Sequence, residues 1–322
     1  MKNKGLFIVE APFQLVSAYE AIKAYKLTDY QIHIRLSQNN NMQLKNVAKI
    51  LFEKDEKKIS YFYIENKNRQ WKDYLTAIRY YLYSFFYRFF YHYIFIGNYE
   101  SRFLYPIVKM VGKNKIVLLD DGIKGFLIYN NFSDNFSYNM FTMLNTLKPF
   151  HNQIILYNQF NRLKSFHKKN LLSKYQNDNI IFLGSKLSEA SIISSDYYIK
   201  MMGKVLSIYQ NFNIIYIPHR GENIQKLDNL QKDFNNFTIK EIDFPVELYI
   251  LMENSIPKEV LSFYSAALLS IKLIYPEIIV KAILFDYSLS KFKNSIDLAY
   301  QNLKNYNIEI IDIKSKNMRK YL

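Results

Sequence analysis

The sequence predicts an α/β protein made of two doubly wound domains that face each other across a cleft, and three observations predict it. Short apolar runs rich in Ile, Val, Phe and Tyr alternate with longer helical patterns along almost the whole chain. Strands that alternate with helices give βαβ units and largely parallel sheets. The 322 residues suit two domains. A polar, turn-prone segment between residues 158 and 179 carries little strand character and separates two sets of strands. The expected domains are therefore residues 1–178 and 179–322.

Taken in order, the first set of strands is expected at 5–9, 31–36, 59–64, 93–97, 115–119 and 153–157. The second is expected at 179–183, 213–217, 237–241, 277–284 and 308–313. Each is a short β-branched or aromatic run bounded by polar or turn residues. Helical patterns lie between them, for example at 13–25, 197–209, 223–233 and 294–305. In such folds substrates bind outside the carboxyl ends of the strands.

Hydrophobic residues make up 49% and charged residues 22%, which excludes a disordered chain. With no cysteine there is no disulfide scaffold, thiolate zinc site, iron–sulfur cluster or cysteine nucleophile. A formal net charge of +15 calls for an anionic partner: nucleic acid, an acidic membrane surface or a phosphorylated substrate. The basic residues are scattered along the chain, which weakens the nucleic-acid reading. The apolar run at 5–9 ends at Glu10 and Pro12, too soon for a secretion signal. No stretch reaches the roughly 18–20 apolar residues of a membrane span. A soluble or peripheral protein is expected.

Residues 71–95, from Trp71 to Phe95, are unusual: 13 of these 25 residues are aromatic, with Lys72, Arg79 and Arg88 among them. The aromatics cover more than one helical face. Two readings stand: a helix buried between sheet and partner, or a basic aromatic helix that meets a membrane surface.

Three motifs can carry chemistry. A strand ending at Leu119 runs into Asp120-Asp121-Gly122. Carboxylates at a strand's carboxyl end suit a general base, although an Asp-Gly turn with solvated carboxylates has the same sequence. A second strand leads into Pro218-His219-Arg220, a clamp for a phosphate leaving group or an ordinary surface histidine. Ser262 to Ser270 opens with hydroxyl residues and continues as a small-residue helix, giving a phosphate site or a plain N-cap. Neither GxGxxG nor GxxxxGK[ST] occurs, and the five histidines show no metal-binding spacing.

Together and in this order, the motifs resemble glycosyltransferase family 52, the bacterial sialyltransferases of lipooligosaccharide and capsule. The resemblance runs from about residue 5 to about residue 285. It rests on Gly5-Leu6-Phe7-Ile8-Val9, Ala11-Pro12-Phe13-Gln14-Leu15, Ile96-Gly97-Asn98, Asp120-Asp121-Gly122 and Phe182-Leu183-Gly184-Ser185. Pro218-His219-Arg220, Pro245-Val246-Glu247 and Phe263-Tyr264-Ser265-Ala266-Ala267 complete it. Two positions depart from the family pattern. Arg220 follows His219 without the usual intervening proline, and Lys186-Leu187 stand where the family can carry its catalytic carboxylate.

The resemblance implies a GT-B fold of two Rossmann-like domains, the first on the acceptor side and the second binding the donor. It implies an inverting, metal-independent sialyltransferase that moves sialic acid from CMP-sialic acid to a terminal galactoside, with no cofactor. His219, Arg220, Ser265 and Ala266 would bind the CMP phosphate and Glu247 the ribose, with His219 also the general acid. Asp120, Asp121 and Glu189 are the candidate bases, with Asp121 and Glu189 preferred, and Pro12, Gln14 and Gly122 would lie on the acceptor side. The expected partners are the nucleotide sugar and a galactose-terminated glycan, without nucleic acid. The aromatic segment suits peripheral contact with the inner face of a bacterial membrane, or a homodimer. The alternatives are another CMP-nonulosonic acid or polysialic acid synthesis on the same fold and, more distantly, a non-enzymatic nucleic-acid binder.

Overall fold

A computed structural model describes residues 3–37, 41–65, 70–98, 101–122, 138–145, 147–149, 153–171 and 175–313. The chain divides into two compact units, Met1–Leu163 with Asp243–Pro245, and Lys164–Ile242 with Val246–Leu322.

The first unit is built on β1 (Lys4–Val9), whose Leu6, Phe7, Ile8 and Val9 have no exposed surface. Helix α1 (Pro12–Ala24) follows with Pro12 in its first turn, where the missing N–H costs nothing. Then come β2 (Asp29–Leu36), α2 (Asn41–Phe52), β3 (Ile59–Tyr63), α3 (Trp71–Phe90), β4 (Tyr93–Ile96), α4 (Leu104–Val111), β5 (Ile116–Leu119), β6 (Asn139–Thr142) and β7 (Ile155–Tyr157). The seven strands are all parallel, in the order β3-β2-β1-β4-β5-β6-β7. The chain winds outward from β1 to β3 and restarts at β4 on the other side of β1. The switch point of this sheet lies between β1 and β4.

The second unit contains most of α5 (Asn161–Asn170), then β8 (Tyr175–Gln176), β9 (Ile180–Leu183), α6 (Ser195–Ile208), β10 (Ile214–Ile217), α7 (Asp228–Asp233), β11 (Phe237–Ile239), α8 (Val246–Met252), β12 (Ser255–Ile256), β13 (Glu259–Ser262), α9 (Ala266–Ile274), β14 (Ile279–Leu284), α10 (Lys293–Asn305) and β15 (Glu309–Asp312). Six of its strands form a parallel sheet ordered β11-β10-β9-β13-β14-β15. Its switch point lies between β9 and β13. Strands β8 and β12 pair separately.

The expected strands all form, with ends shifted by a residue or two. Two interior strands have no counterpart in the sequence reading. Both are short and bounded by polar residues: β6 reads Asn-Met-Phe-Thr and β13 reads Glu-Val-Leu-Ser. Glu259 opens β13 as a buried acid because Lys281 of β14 pairs with it at 3.1 Å and Tyr209 adds a hydrogen bond. The division between units also falls earlier than 178/179, at 163/164. The stretch read as turn-like holds α5, whose His167 packs edge-on against Tyr275 and bonds Glu277. Within the first unit, Arg162 N and Leu163 N donate to the buried Glu20 carboxylate.

The aromatic segment divides. Residues 71–90 are helix, while Tyr93 and Phe95 belong to β4. Gln70 and Asp73 cap the helix reciprocally. Its inner face is fastened by Tyr80, which stacks on Phe62 and bonds the ring of His33 at 2.7 Å. Burial lowers the His33 pKa to about 4, so the ring is neutral at neutral pH. Among the described residues no helix is long and apolar enough to cross a membrane.

Phe95 stacks on Phe7 at 4.3 Å and receives Tyr25 edge-on. Phe95→Ala is expected to destabilise the first unit by about 3–5 kcal/mol, read as a lower urea midpoint of its unfolding transition. His33 makes the same unit acid-sensitive. Between about pH 6.5 and about 4 the unfolded chain takes a proton that the folded ring refuses, so stability falls as pH falls through that window. In His33→Gln, urea midpoints measured across the window should fall less steeply.

Candidate functional site

In the second unit, β9, β10 and β13 end side by side, with Leu183 in register with both Ile217 and Ser262. Ser262 Oγ ties the ends together by donating to Leu183 O at 2.9 Å. The loops that leave this edge carry Gly184-Ser185-Lys186, Pro218 to Glu222, and Phe263-Tyr264-Ser265. This is the switch point, where an open parallel sheet binds its ligands.

The loops are organised around one carboxylate that the sequence reading did not single out. The Glu222 side chain has no exposed surface. Tyr216 OH donates to Oε1 at 2.5 Å, His219 N to Oε2 at 3.0 Å, and Lys226 pairs with Oε1 at 3.0 Å. Because Tyr216 spends its proton on Glu222, Tyr198 must donate in their 2.6 Å contact. Tyr198 in turn accepts from Ser185 N. The group fits because residue 184 is glycine: a Cβ there would collide with Glu222 and Tyr216. The only local signal for this role was an acid three residues after the histidine.

His219 keeps contact with solvent but sits among dense protein. That desolvation first, then the Lys186 and Arg220 charges, lowers its pKa to about 4. Gly221 N donates to Nδ1 at 3.1 Å, so the neutral ring carries its proton on Nε2. The free protein thus offers an Nε2–H hydrogen-bond donor, and not the charged imidazolium expected of a general acid. Neither Lys186 nor Arg220 is ion-paired among the described residues.

Ser265 is the N-cap of α9, and its Oγ accepts from Ala267 N at 3.3 Å. Both readings of this serine fit: the hydroxyl proton and the first helical N–H, on buried Ala266, remain for an anion. Glu247 lies on α8 and is 2% exposed, with Ser270 Oγ donating to Oε1. Burial raises its pKa, and the Ser270 bond opposes the rise. Its carboxylate is thus enclosed, where contact with a ribose requires an accessible oxygen.

Glu189 is held by Asn223 N at 3.0 Å and by Lys226 at 3.0 Å. Burial alone would raise its pKa, but these bonds outweigh burial and leave it lowered. That combination fits a fastening between loops better than a base, which needs an accessible lone pair.

In the first unit the two aspartates have different environments. Asp120 is 1% exposed, and its two oxygens accept from Thr142 Oγ1 and Met143 N, both at 2.7 Å. It fixes the exit of β6 to that of β5. Asp121 is half-buried and accepts from Gln14 Nε2 at 2.9 Å. Gly122 follows with φ 66°, a left-handed conformation that favours glycine. Gln14 also accepts from Glu10 N at 2.7 Å and fills the space that a side chain at Gly97 would need. Pro12, buried in the first turn of α1, is scaffold. Beside them Glu10 pairs with Arg35 at 2.9 Å, both buried, and Ser101 Oγ donates to Glu10. This ion pair closes the ends of β1 and β2, and no spacing of residues marks it in advance. Among the described residues no cluster of His, Asp and Glu is placed to hold a metal ion.

Neither a protein-family model nor a curated protein matches the sequence. Solved structures do match in shape. UDP-GlcNAc 2-epimerase from Neisseria meningitidis, bound to UDP-GlcNAc, superposes with a TM-score of 0.54 at 12% identity over 99% of this chain and 98% of its own. The α/β-galactoside α-2,3-sialyltransferase of Photobacterium phosphoreum superposes with a TM-score of 0.50 at 12% identity over 98% of this chain and 99% of its own. The fold is GT-B, two Rossmann-like domains, as found in glycosyltransferases.

Glu222→Ala would leave Tyr216 OH and His219 N without their acceptor and Lys226 with Glu189 as its remaining carboxylate. The second unit should lose about 2–4 kcal/mol, seen as faster amide hydrogen exchange in β9 and β10, while β1 and β4 of the first unit keep their protection.

Proposed function

We propose that the protein is an inverting sialyltransferase that moves sialic acid from CMP-sialic acid to a terminal galactoside of a bacterial surface glycan. The observation that carries the reading is the edge of the second sheet, where Lys186, Arg220, the His219 Nε2–H and the Ser265-capped start of α9 gather at the switch point. Such a set of donors and cations suits a phosphate. The GT-B fold and the motif order agree with it.

In this reading the second unit binds CMP. Ser265 and the N–H of Ala266 hold the phosphate, with His219, Arg220 and Lys186 around it. The ribose contact that the resemblance gives to Glu247 would require its enclosed carboxylate to leave Ser270 and open to the ligand. Asp121, oriented by Gln14, takes the proton of the galactose hydroxyl. The freed oxygen attacks the anomeric carbon of sialic acid as the bond from that carbon to the CMP phosphate breaks, and the configuration inverts. The departing phosphate has a second pKa of about 6, so it needs its charge stabilised more than it needs a proton. A neutral His219 is suited to that, and fixed cations with a helix N-terminus take the part that a metal plays elsewhere.

The test is CMP release from CMP-sialic acid in chelator, with and without lactose. Release that depends on lactose and persists in chelator is expected, and Asp121→Asn, His219→Ala and Ser265→Ala should each lower kcat/KM by about 10²-fold or more. No release from CMP-sialic acid, together with turnover of UDP-N-acetylglucosamine, would overturn the donor. A separate readout follows His219: titration of its ring resonances should give about 4 in the free protein and a higher value with CMP bound, because the bound anion favours the charged ring.

A further inference from the structure

Helix α3 runs for 20 residues, about 30 Å, and only Asp73, Ala77 and Ser84 are buried along it. Trp71, Ile78, Leu82, Phe85, Phe86 and Phe89 recur at spacings of three, four and seven, which places them on one side of the helix. With their apolar neighbours they are 43–68% exposed. The opposite side, through Tyr80, is fastened to Phe62 and His33, so among the described residues the apolar side is the one left uncovered. Soluble proteins rarely leave so large a contiguous apolar patch in water.

The charges on the helix indicate what covers it. Lys72 and Arg79 are exposed, and Arg88 lies over the rings of Phe85 and Phe89 at 4.5 and 4.6 Å. The one acid between Trp71 and Phe90 is Asp73, buried and occupied in capping Gln70 N. The exposed surface of α3 is therefore apolar and cationic. A second copy docked through this helix would set one cationic surface against another and supply no acid to match it. A bilayer with anionic headgroups matches both features: its acyl boundary takes the Trp, Phe, Leu and Ile side chains, and its phosphates take the Lys and Arg.

We propose that α3 is a docking helix that lies in the plane of an anionic membrane, holding the first unit on the bilayer surface without crossing it. The apolar side sinks into the headgroup region while Tyr80 and its neighbours keep the inner side on the protein. The net charge of +15 adds a long-range attraction of the same sign.

The test is co-sedimentation of the full chain with phosphatidylglycerol vesicles and with phosphatidylcholine vesicles, beside the double variant L82E/F86E. Both positions are exposed and neither ring or chain bears on the core, and circular dichroism confirms that the variant folds. The wild type should bind phosphatidylglycerol about tenfold or more tightly than phosphatidylcholine, release as salt rises, and lose about tenfold or more of its binding in the variant. Equal partition of wild type and variant would overturn the proposal. So would a wild-type dimer in light scattering that L82E/F86E dissociates without any vesicle binding by the wild type, since the cover would then be a second copy. No donor or acceptor enters the assay, so its outcome is independent of the catalytic reading.

Discussion

Glu222 is a carboxylate without solvent, and the candidate donor site depends on the way its charge is satisfied. One oxygen takes Tyr216 OH and Lys226, and the other takes the backbone N–H of His219. An unpaired buried carboxylate would be costly, so the three partners and the acid stabilise one another as a unit. Lys226 carries the constraint further, because it also pairs with Glu189 and lies over the ring of Tyr198 at 3.9 Å. The loop after β10 is thereby fixed to the loop after β9. His219 is set by its own backbone, whose N–H is bound to Glu222 and whose ring accepts from Gly221.

The first unit uses a similar device. In each sheet a glycine directly follows a strand at the switch point, Gly97 after β4 and Gly184 after β9. A polar side chain occupies the volume that a Cβ would take: Gln14 in one case, Glu222 in the other. That polar side chain then positions a candidate reactive group, Asp121 through Gln14 and His219 through Glu222. Each glycine is needed for close approach and not for an unusual backbone angle.

The two units differ in how they treat charge. The Glu10–Arg35 pair closes the strand ends of the first unit as a neutral, buried contact. At the strand ends of the second unit the acids, Glu222 and Glu189, are consumed by Lys226, while Lys186 and Arg220 are left without carboxylate partners among the described residues. The net local excess is positive. Desolvation does most to lower the His219 pKa, and these cations add to it, so the ring stays neutral beside the positive groups.

The sequence by itself determined the parallel βαβ architecture and the strand ends that carry Asp120-Asp121-Gly122, His219 and Ser265. Strand and helix periodicity is local, and an apolar run such as Ile214 to Ile217 forms a strand wherever it is placed. Tertiary structure decided the division of labour among the acids. Asp120 and Asp121 are neighbours in sequence, yet Thr142 of a strand hidden in the sequence and Met143 just beyond it enclose the first, and Gln14 receives the second. Glu222 takes Tyr216 and Lys226 from its own segment, whereas Glu189 became a fastening because the winding of the chain brings it to Lys226, 37 residues away. The outward side of α3 was settled in the same way. An aromatic run is compatible with burial or exposure until the sheet it packs on has chosen which ring, here Tyr80, faces inward. Burial of a charge or a ring depends on which chain segment lies against it, and adjacency across a sheet is set by the winding order, which no local pattern encodes.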